Sequence, residues 1–124
     1  MRCQHVCFES GDLEATLRFY GDLLDLKVAH YEPNSLLTFQ LEDGFVLRFE
    51  YTDKPVVPQG MRFFGLELPT YDAVDLWFDR LQEAGVNIVE DLRPRFKDRP
   101  GPYGFLIRDP NGYIVKLFKY GPRE

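Results

Sequence analysis

The chain has 124 residues and a formal net charge of −5 at pH 7, with 44% hydrophobic and 28% charged residues. This composition is typical of a globular domain, and the acidic balance argues against a nucleic-acid-binding surface, which is usually basic. No apolar run approaches the roughly 20 residues of a membrane-spanning helix, and the start of the chain lacks a secretory signal pattern. We therefore expect a cytoplasmic protein with no nucleic-acid partner and no membrane partner.

The order of the predicted elements occurs twice along the chain. Residues 1–53 (module one) and residues 61–124 (module two) each run strand, amphipathic helix and three strands. Residues 54–60, which contain two prolines, are predicted to link them. We expect the two modules to form a single domain over residues 1–124.

Module one is predicted to open with a strand that ends at Glu9, and Asp12 then marks a helix start. Apolar residues at helical spacing extend this helix from Leu13 to Leu24. Alternating side chains predict strands over Ser35–Leu41 and Phe45–Tyr51, with an Asp-Gly turn between them.

Module two repeats the pattern with a strand over Met61–Leu68 and a helix that begins after Thr70 and ends near Gly85. Strands over Gly104–Arg108 and Tyr113–Lys119 follow, joined by an Asp-Pro-Asn-Gly turn. When the closing strands of the two modules are aligned, Arg48 matches Lys116, and aligning the opening strands matches His5 with Phe63.

Alternation along the strands sorts their side chains into two layers, one facing the helices and one facing away. The second layer mixes apolar and charged side chains, which is typical of a concave binding surface. We predict that it lines a ligand pocket enclosed by two curled half-sheets. Its predicted lining residues are His5, Cys7, Val46, Arg48, Glu50, Phe63, Ile114, Lys116 and Phe118.

The irregular stretch Arg93–Tyr103 is rich in proline, glycine and charge. Such a segment is long enough to form a loop over a binding site. We therefore predict that Arg99 and Tyr103 lie on a loop that closes over the ligand.

The pattern resembles the vicinal oxygen chelate superfamily, which includes glyoxalase I, extradiol dioxygenases, fosfomycin-resistance enzymes and bleomycin-binding proteins. The resemblance is carried by His5, by the segment Phe19–Leu26, and by Asp-Pro-Asn-Gly-Tyr from Asp109 onward. It implies an α+β fold of two tandem βαβββ modules that form a curled, cup-shaped mixed sheet with helices on the outside. It also implies a homodimer. It does not identify a reaction, because the superfamily supports many.

Metal-dependent members of this superfamily keep four ligand positions, which correspond here to His5, Arg48, Phe63 and Lys116. Only the histidine can bind a metal, and the two cations would repel a divalent ion. We therefore expect no bound metal and no cofactor. Glu50 would join His5 as a ligand only if the alignment were shifted along the strand.

Two interpretations of Arg48 and Lys116 remain open. In one, they form with His5 a positive floor in a largely apolar pocket, suited to a carboxylate, phosphate or enolate group. In the other, Arg48 pairs with Glu50 or Glu67, and Lys116 extends to solvent. If the protein is an enzyme, His5 and Glu50 are the candidate catalytic residues.

The resemblance predicts metal-independent binding of a small, partly hydrophobic molecule, as in the drug-sequestering members; the first interpretation makes that molecule anionic. One alternative is a glyoxalase-I-like lyase or isomerase, or a dioxygenase-like metalloenzyme, with a displaced metal site. Another is a regulatory or interaction module whose pocket is filled by its own side chains. The sequence identifies neither the ligand nor a reaction.

Overall fold

The computed structural model describes residues 1–58 and 60–121. Gln59 of the predicted linker and residues 122–124 of predicted module two lie outside the described residues. The chain forms two compact units that divide between Val57 and Pro58, and the turn Pro110–Gly112 belongs to the first unit. Each βαβββ module otherwise lies within one unit.

Module one forms a four-stranded mixed sheet in the order β1-β4-β3-β2. β1 is parallel to β4, whereas the β4–β3 and β3–β2 pairs are antiparallel. Its elements are β1 (His5–Ser10), α1 (Leu13–Leu17), a π-helical segment (Arg18–Leu23), β2 (Lys27–Glu32), β3 (Leu36–Gln40) and β4 (Val46–Tyr51).

Module two repeats this arrangement in a second four-stranded sheet of order β5-β8-β7-β6. Again the first strand is parallel to the last, and the other pairs are antiparallel. The predicted α+β fold of two tandem βαβββ modules is confirmed. The elements are β5 (Phe64–Glu67), α2 (Tyr71–Glu83), β6 (Ile88–Asp91), a 3₁₀ turn (Arg93–Phe96), β7 (Tyr103–Arg108) and β8 (Ile114–Lys119).

The first helix differs from the prediction in its second half. Its α-helical part ends at Leu17, and the backbone N–H of Leu24 donates to the carbonyl of Phe19, five residues back, at 3.0 Å. Apolar spacing predicts that a segment is helical but does not distinguish one π turn from an α turn. α2, in contrast, is α-helical throughout and is capped by Thr70 as predicted, the hydroxyl accepting from Ala73 N at 3.0 Å. Within the described residues, neither helix is long and apolar enough to span a membrane.

Each sheet has a shift in strand register, and the two shifts lie at equivalent positions in the two modules. The β2–β3 register shifts between Val28 and His30, and the β6–β7 register shifts between Ile88 and Glu90. A shift of this kind marks a β-bulge, in which one strand carries an extra residue. The sequence repeat therefore extends to backbone detail.

The helix-facing layer of each sheet is apolar, as predicted from alternation. In module one, Tyr20 is fully buried, and its ring centroid lies 5.0 Å from that of Phe49 and 5.7 Å from that of Phe39. In module two, the rings of Phe78 and Phe105 meet edge to face at 5.1 Å. Each such buried side chain contributes about 1.5–3 kcal/mol, so each layer stabilises the module to which it belongs.

Candidate functional site

In module one, five of the predicted pocket residues share the sheet face that points away from the helix. His5 pairs with Val46 and Cys7 pairs with Arg48 across the parallel β1–β4 ladder, and Glu50 follows one pleat later. Paired residues on adjacent strands point to the same side of a sheet. We call these five residues the open face of module one.

In module two, the corresponding face is centred on Lys116, which pairs with Gly65 of β5 and with Leu106 of β7. Ile114 and Phe118 lie two positions to either side of it on β8 and point the same way. These five residues form the open face of module two. Three of them were predicted from the sequence, and Gly65 and Leu106 are additional.

Arg48 has a carboxylate partner within its own module. Its Nε donates to Oε2 of Glu50 at 3.0 Å, and the two side chains are 38% and 52% exposed. His5 is also exposed, with its Nδ1 2.7 Å from the side-chain oxygen of Gln4. The Arg48–Glu50 pairing expected in one of the two interpretations is therefore present, and Glu50 neutralises the Arg48 charge.

Cys7 lies beside this ion pair on the open face of module one. Partial burial raises the pKa of the Cys7 thiol, Glu50 adds to that effect, and Arg48 opposes it. A thiol with a raised pKa remains protonated near neutral pH and is a weak nucleophile. Cys7 is therefore a poor candidate for a catalytic nucleophile.

Lys116 is in a different environment, because it is only 8% exposed. Its Nζ lies 5.2 Å from the ring centroid of Phe63 and 5.7 Å from that of Phe118, within the range of cation–π attraction. No ion pair joins it to a carboxylate in the part of the chain that the structure describes. The expectation that Lys116 extends to solvent is wrong, since the residue is buried and its amine lies near two aromatic rings.

Burial lowers the pKa of the Lys116 amine, and the nearby positive charge of Arg62 lowers that pKa further. Arg62 is exposed, and its guanidinium carbon lies 5.7 Å from the centroid of the Phe63 ring. The amine is therefore neutral more often than an ordinary lysine at the same pH. Sequence reasoning missed Arg62, which lies just before β5.

Gly65 makes room for the Phe118 ring. A Cβ added at Gly65 would lie 2.7 Å from Cε1 of Phe118, closer than carbon atoms pack. The predicted lining residues do not include Gly65, although a glycine within a strand often marks a close approach of another group. The position of the Phe118 ring, and with it one wall around Lys116, depends on Gly65.

Tyr103 does not lie on a loop over the site. It is the first residue of β7, where it pairs with Lys119, and it is buried. Its hydroxyl donates to Oδ1 of Asp75 on α2 at 2.6 Å, and its ring meets that of Tyr71 at 5.4 Å. The prediction was wrong because β7 begins at Tyr103, one residue before the predicted strand, and this pairing directs the side chain toward the helix.

Arg99 remains in the irregular segment of module two. Its Nε donates to the carbonyl of Arg95 at 2.8 Å, and its guanidinium lies 5.5 Å from the Phe96 ring. With Tyr71 and Tyr120 it lines a cleft of about 620 Å³ beside the start of α2. That cleft contains no residue of the open face, so closure of Arg99 over a ligand stays a prediction.

The superfamily's metal chemistry requires a set of donor side chains. Across residues 1–58 and 60–121, no three His, Cys, Asp or Glu side chains are grouped so as to hold a metal ion. At the four positions that the resemblance identifies, His5 is the only donor. Arg48 is paired with a carboxylate, and Lys116 is enclosed by aromatic rings. These residues do not fit a divalent metal.

Comparison with known proteins gives a match over nearly the whole chain. Residues 2–117 match the model of the Glyoxalase/Bleomycin resistance protein/Dioxygenase superfamily. A curated relative described as "Probable lactoylglutathione lyase, chloroplastic" from Arabidopsis thaliana is 26% identical over 138 aligned residues. That alignment covers 98% of this chain but 36% of the relative, so the chain spans about a third of the relative's length.

Solved structures give the same result for the fold. A possible glyoxalase from Bacillus cereus has a TM-score of 0.76 at 21% identity, with 95% of this chain and 98% of that chain covered. Lactoylglutathione lyase from Agrobacterium tumefaciens scores 0.75 at 19% identity, with 95% and 92% covered. A fosfomycin resistance protein from Listeria monocytogenes scores 0.75 at 14% identity, with 95% and 90% covered. The resemblance read from the sequence is confirmed: this chain belongs to the Glyoxalase/Bleomycin resistance protein/Dioxygenase superfamily.

Proposed function

We propose that the protein binds a small, partly hydrophobic and anionic molecule without a metal, and that Lys116 is its main contact. The supporting observation is the environment of this amine: 8% exposed, between two aromatic rings, with no carboxylate partner in the described residues. A buried cation without a counter-ion lowers stability, and a bound anion offsets that loss. The proposed site is therefore completed by its ligand.

The surroundings of Lys116 supply the other properties of the proposed ligand. The rings of Phe63 and Phe118, together with Ile114, offer apolar contact for a hydrophobic body. Arg62 adds a second positive charge at the exposed side of Phe63. We therefore assign the anionic group to Lys116 and Arg62 and the hydrophobic body to the rings.

The open face of module one has a lesser role in this proposal. His5, Cys7, Val46, Arg48 and Glu50 stay proposed ligand contacts, but Glu50 already neutralises Arg48. A neutralised arginine attracts an anion less than an unpaired lysine does. We also propose that residues 1–124 form a single domain and that the protein is cytoplasmic. The homodimer is a further proposal, expected from the resemblance.

The name of the Arabidopsis relative favours a second candidate function, a lyase that acts on a glutathione adduct. His5 and Glu50 would then be the catalytic candidates, and Glu50 is available only after its ion pair with Arg48 opens. Because the donor set does not fit a metal, we rank this activity below ligand binding.

Calorimetric titration with 2-naphthoate and with its uncharged amide tests the proposal, each measured with and without EDTA. We expect naphthoate to bind about tenfold more tightly than the amide, the value of one charge-assisted hydrogen bond, with EDTA making no difference. Lys116→Met should remove the preference for the anion, whereas Lys116→Arg should keep it.

Lys119→Met is the matched control, because Lys119 lies on the same strand and its Nζ is 3.6 Å from a carboxylate oxygen of Glu67. This variant should bind naphthoate as the wild type does. Equal affinity of the wild type and Lys116→Met for naphthoate, with both folded by circular dichroism, would contradict the proposal.

A further inference from the structure

Lys116 combines three features that distinguish a reactive amine from an ordinary surface lysine. It is nearly buried, its nitrogen lies 5.2 Å and 5.7 Å from the ring centroids of Phe63 and Phe118, and no carboxylate in the described residues pairs with it. An amine attacks a carbonyl carbon only through its unprotonated form. Desolvation and a neighbouring cation favour that form, and both are present here.

The carboxylates described on this face of module two do not pair with the Lys116 amine. Glu67, on the neighbouring strand β5, is 3.6 Å from Lys119. Glu90, across β7, lies 3.7 Å from Arg95. Arg108 pairs with Ile114 in the ladder, at the end of the face. These two carboxylates thus have cationic partners other than Lys116.

The amine is enclosed at its sides but not sealed from solvent. Gly65, its neighbour on β5, is exposed, and the Phe118 ring lies over it. Phe63 and Phe118 are each partly exposed, so the two rings near the nitrogen are themselves in contact with solvent. A carbonyl group carried by a small ligand can therefore approach from the side of these rings.

We propose that Lys116 condenses reversibly with the carbonyl group of an anionic aldehyde or 2-oxo acid and forms an imine. This inference rests on the proposed function, since Arg62 would hold the carboxylate or phosphate of the same ligand. The nitrogen lone pair attacks the carbonyl carbon, and the C–N bond forms as the C=O double bond opens. Loss of water then removes the former carbonyl oxygen with two hydrogens and leaves a C=N bond. No oxidant or reductant is needed.

Reductive trapping tests the inference. The protein is incubated with glyoxylate, with glycolaldehyde phosphate or with uncharged acetaldehyde, cyanoborohydride is added to fix any imine, and peptide mass spectrometry locates the label. We expect the two anionic carbonyl compounds to label Lys116 ahead of the other lysines, at a rate that rises with pH below the usual lysine range. Comparison of the two shows whether the carboxylate or the phosphate is preferred.

Two variants separate this inference from the proposed function. Lys116→Arg keeps the positive charge, so it should lose the label at this position and still bind 2-naphthoate. Arg62→Gln should slow labelling by glyoxylate more than labelling by acetaldehyde, because both lose the effect of Arg62 on the Lys116 pKa but only glyoxylate loses a contact to its carboxylate. Labelling spread evenly over all lysines, or wild-type total labelling in Lys116→Arg, would overturn imine formation while naphthoate binding through Lys116 still stood.

Discussion

Arg48 of β4 and Lys116 of β8 occupy equivalent positions in the two modules, yet their charged groups lie in very different environments. Arg48 is partly exposed and bonded to Glu50, whereas Lys116 is almost buried between aromatic rings. The residue of module two that is equivalent to Glu50 is Phe118, so a counter-ion in one module corresponds to a ring in the other. A repeated fold thus keeps the position of a cation while its neighbours decide its chemistry.

The helices of the two modules are alike at their ends but differ in between. Asp12 and Thr70 each accept a backbone N–H three residues on, at 3.0 Å in both modules. Asp25 and Gly85, both at positive φ, follow the ends of the two helices. Between these points module one is two residues shorter and changes to a π turn. The ends match because local capping chemistry fixes them.

The largest expected difference between the modules is at Gly104, whose equivalent in module one is Leu36. A Cβ at Gly104 would overlap the carbonyl oxygen of Leu117 and lie 2.7 Å from Cβ of Phe118. Gly104→Ala should therefore lower the free energy of unfolding by about 3 kcal/mol, since backbone must move to admit it. Leu36→Ala should lower it by about 1 kcal/mol, because that half-buried side chain loses only part of its contact area.

Urea denaturation followed by circular dichroism measures both variants. Equal losses at the two positions would mean that β7 and β8 separate easily and that the close approach at Gly104 is not a constraint.

A smaller difference is expected in acid, at Asp91 and its module-one equivalent Tyr31. Hydrogen bonds from Arg93 hold the pKa of Asp91 below its usual value of 3.8. A carboxyl with a lowered pKa stabilises the fold above the unfolded-state pKa, and that stabilisation disappears as the pH falls through the folded-state pKa. Tyr31 has no carboxyl group and contributes no such acid dependence.

Thermal melts from pH 5 to pH 2 should show the wild type losing about 1 kcal/mol more than Asp91→Asn, as expected for a partly exposed pair. Parallel curves for the two proteins would remove Asp91 as a source of acid sensitivity.

The smallest expected effect is the Arg48–Glu50 pair itself. Because both side chains are more than a third exposed, a double-mutant cycle with alanine at each position should give a coupling of about 0.5 kcal/mol or less, reduced further by salt. A salt-independent coupling well above this value would show that the pair is shielded from solvent, and the contrast with Lys116 would then be weaker than we infer.

Features that depend on neighbours along the chain were predictable. The helix caps, the Asp-Gly turn and the face that each strand residue occupies follow from spacing alone. The Arg48–Glu50 contact is of this kind, because residues two apart on a strand share a face. Its presence in the structure is a local consequence of the β4 sequence.

Features that depend on distant parts of the chain were not predictable. Sequence spacing predicts a loop at Tyr103, because nothing beside this residue indicates its hydrogen bond to Asp75, 28 residues earlier. The enclosure of Lys116 depends on Phe63, which lies far from it in sequence, and on the absent side chain at Gly65. Periodicity predicts the direction of a side chain, whereas its burial depends on which strands become neighbours.

The bulge repeated in β2 and β6 has a consequence for association with other molecules. Both strands are the last in their sheets, where unpaired backbone groups invite another strand to add on. A bulge interrupts the even spacing of donors and acceptors that such addition requires, and His30 and Glu90 place polar side chains at that point. These two sheet edges are therefore poor templates for the addition of another strand, which disfavours fibrous self-assembly through them.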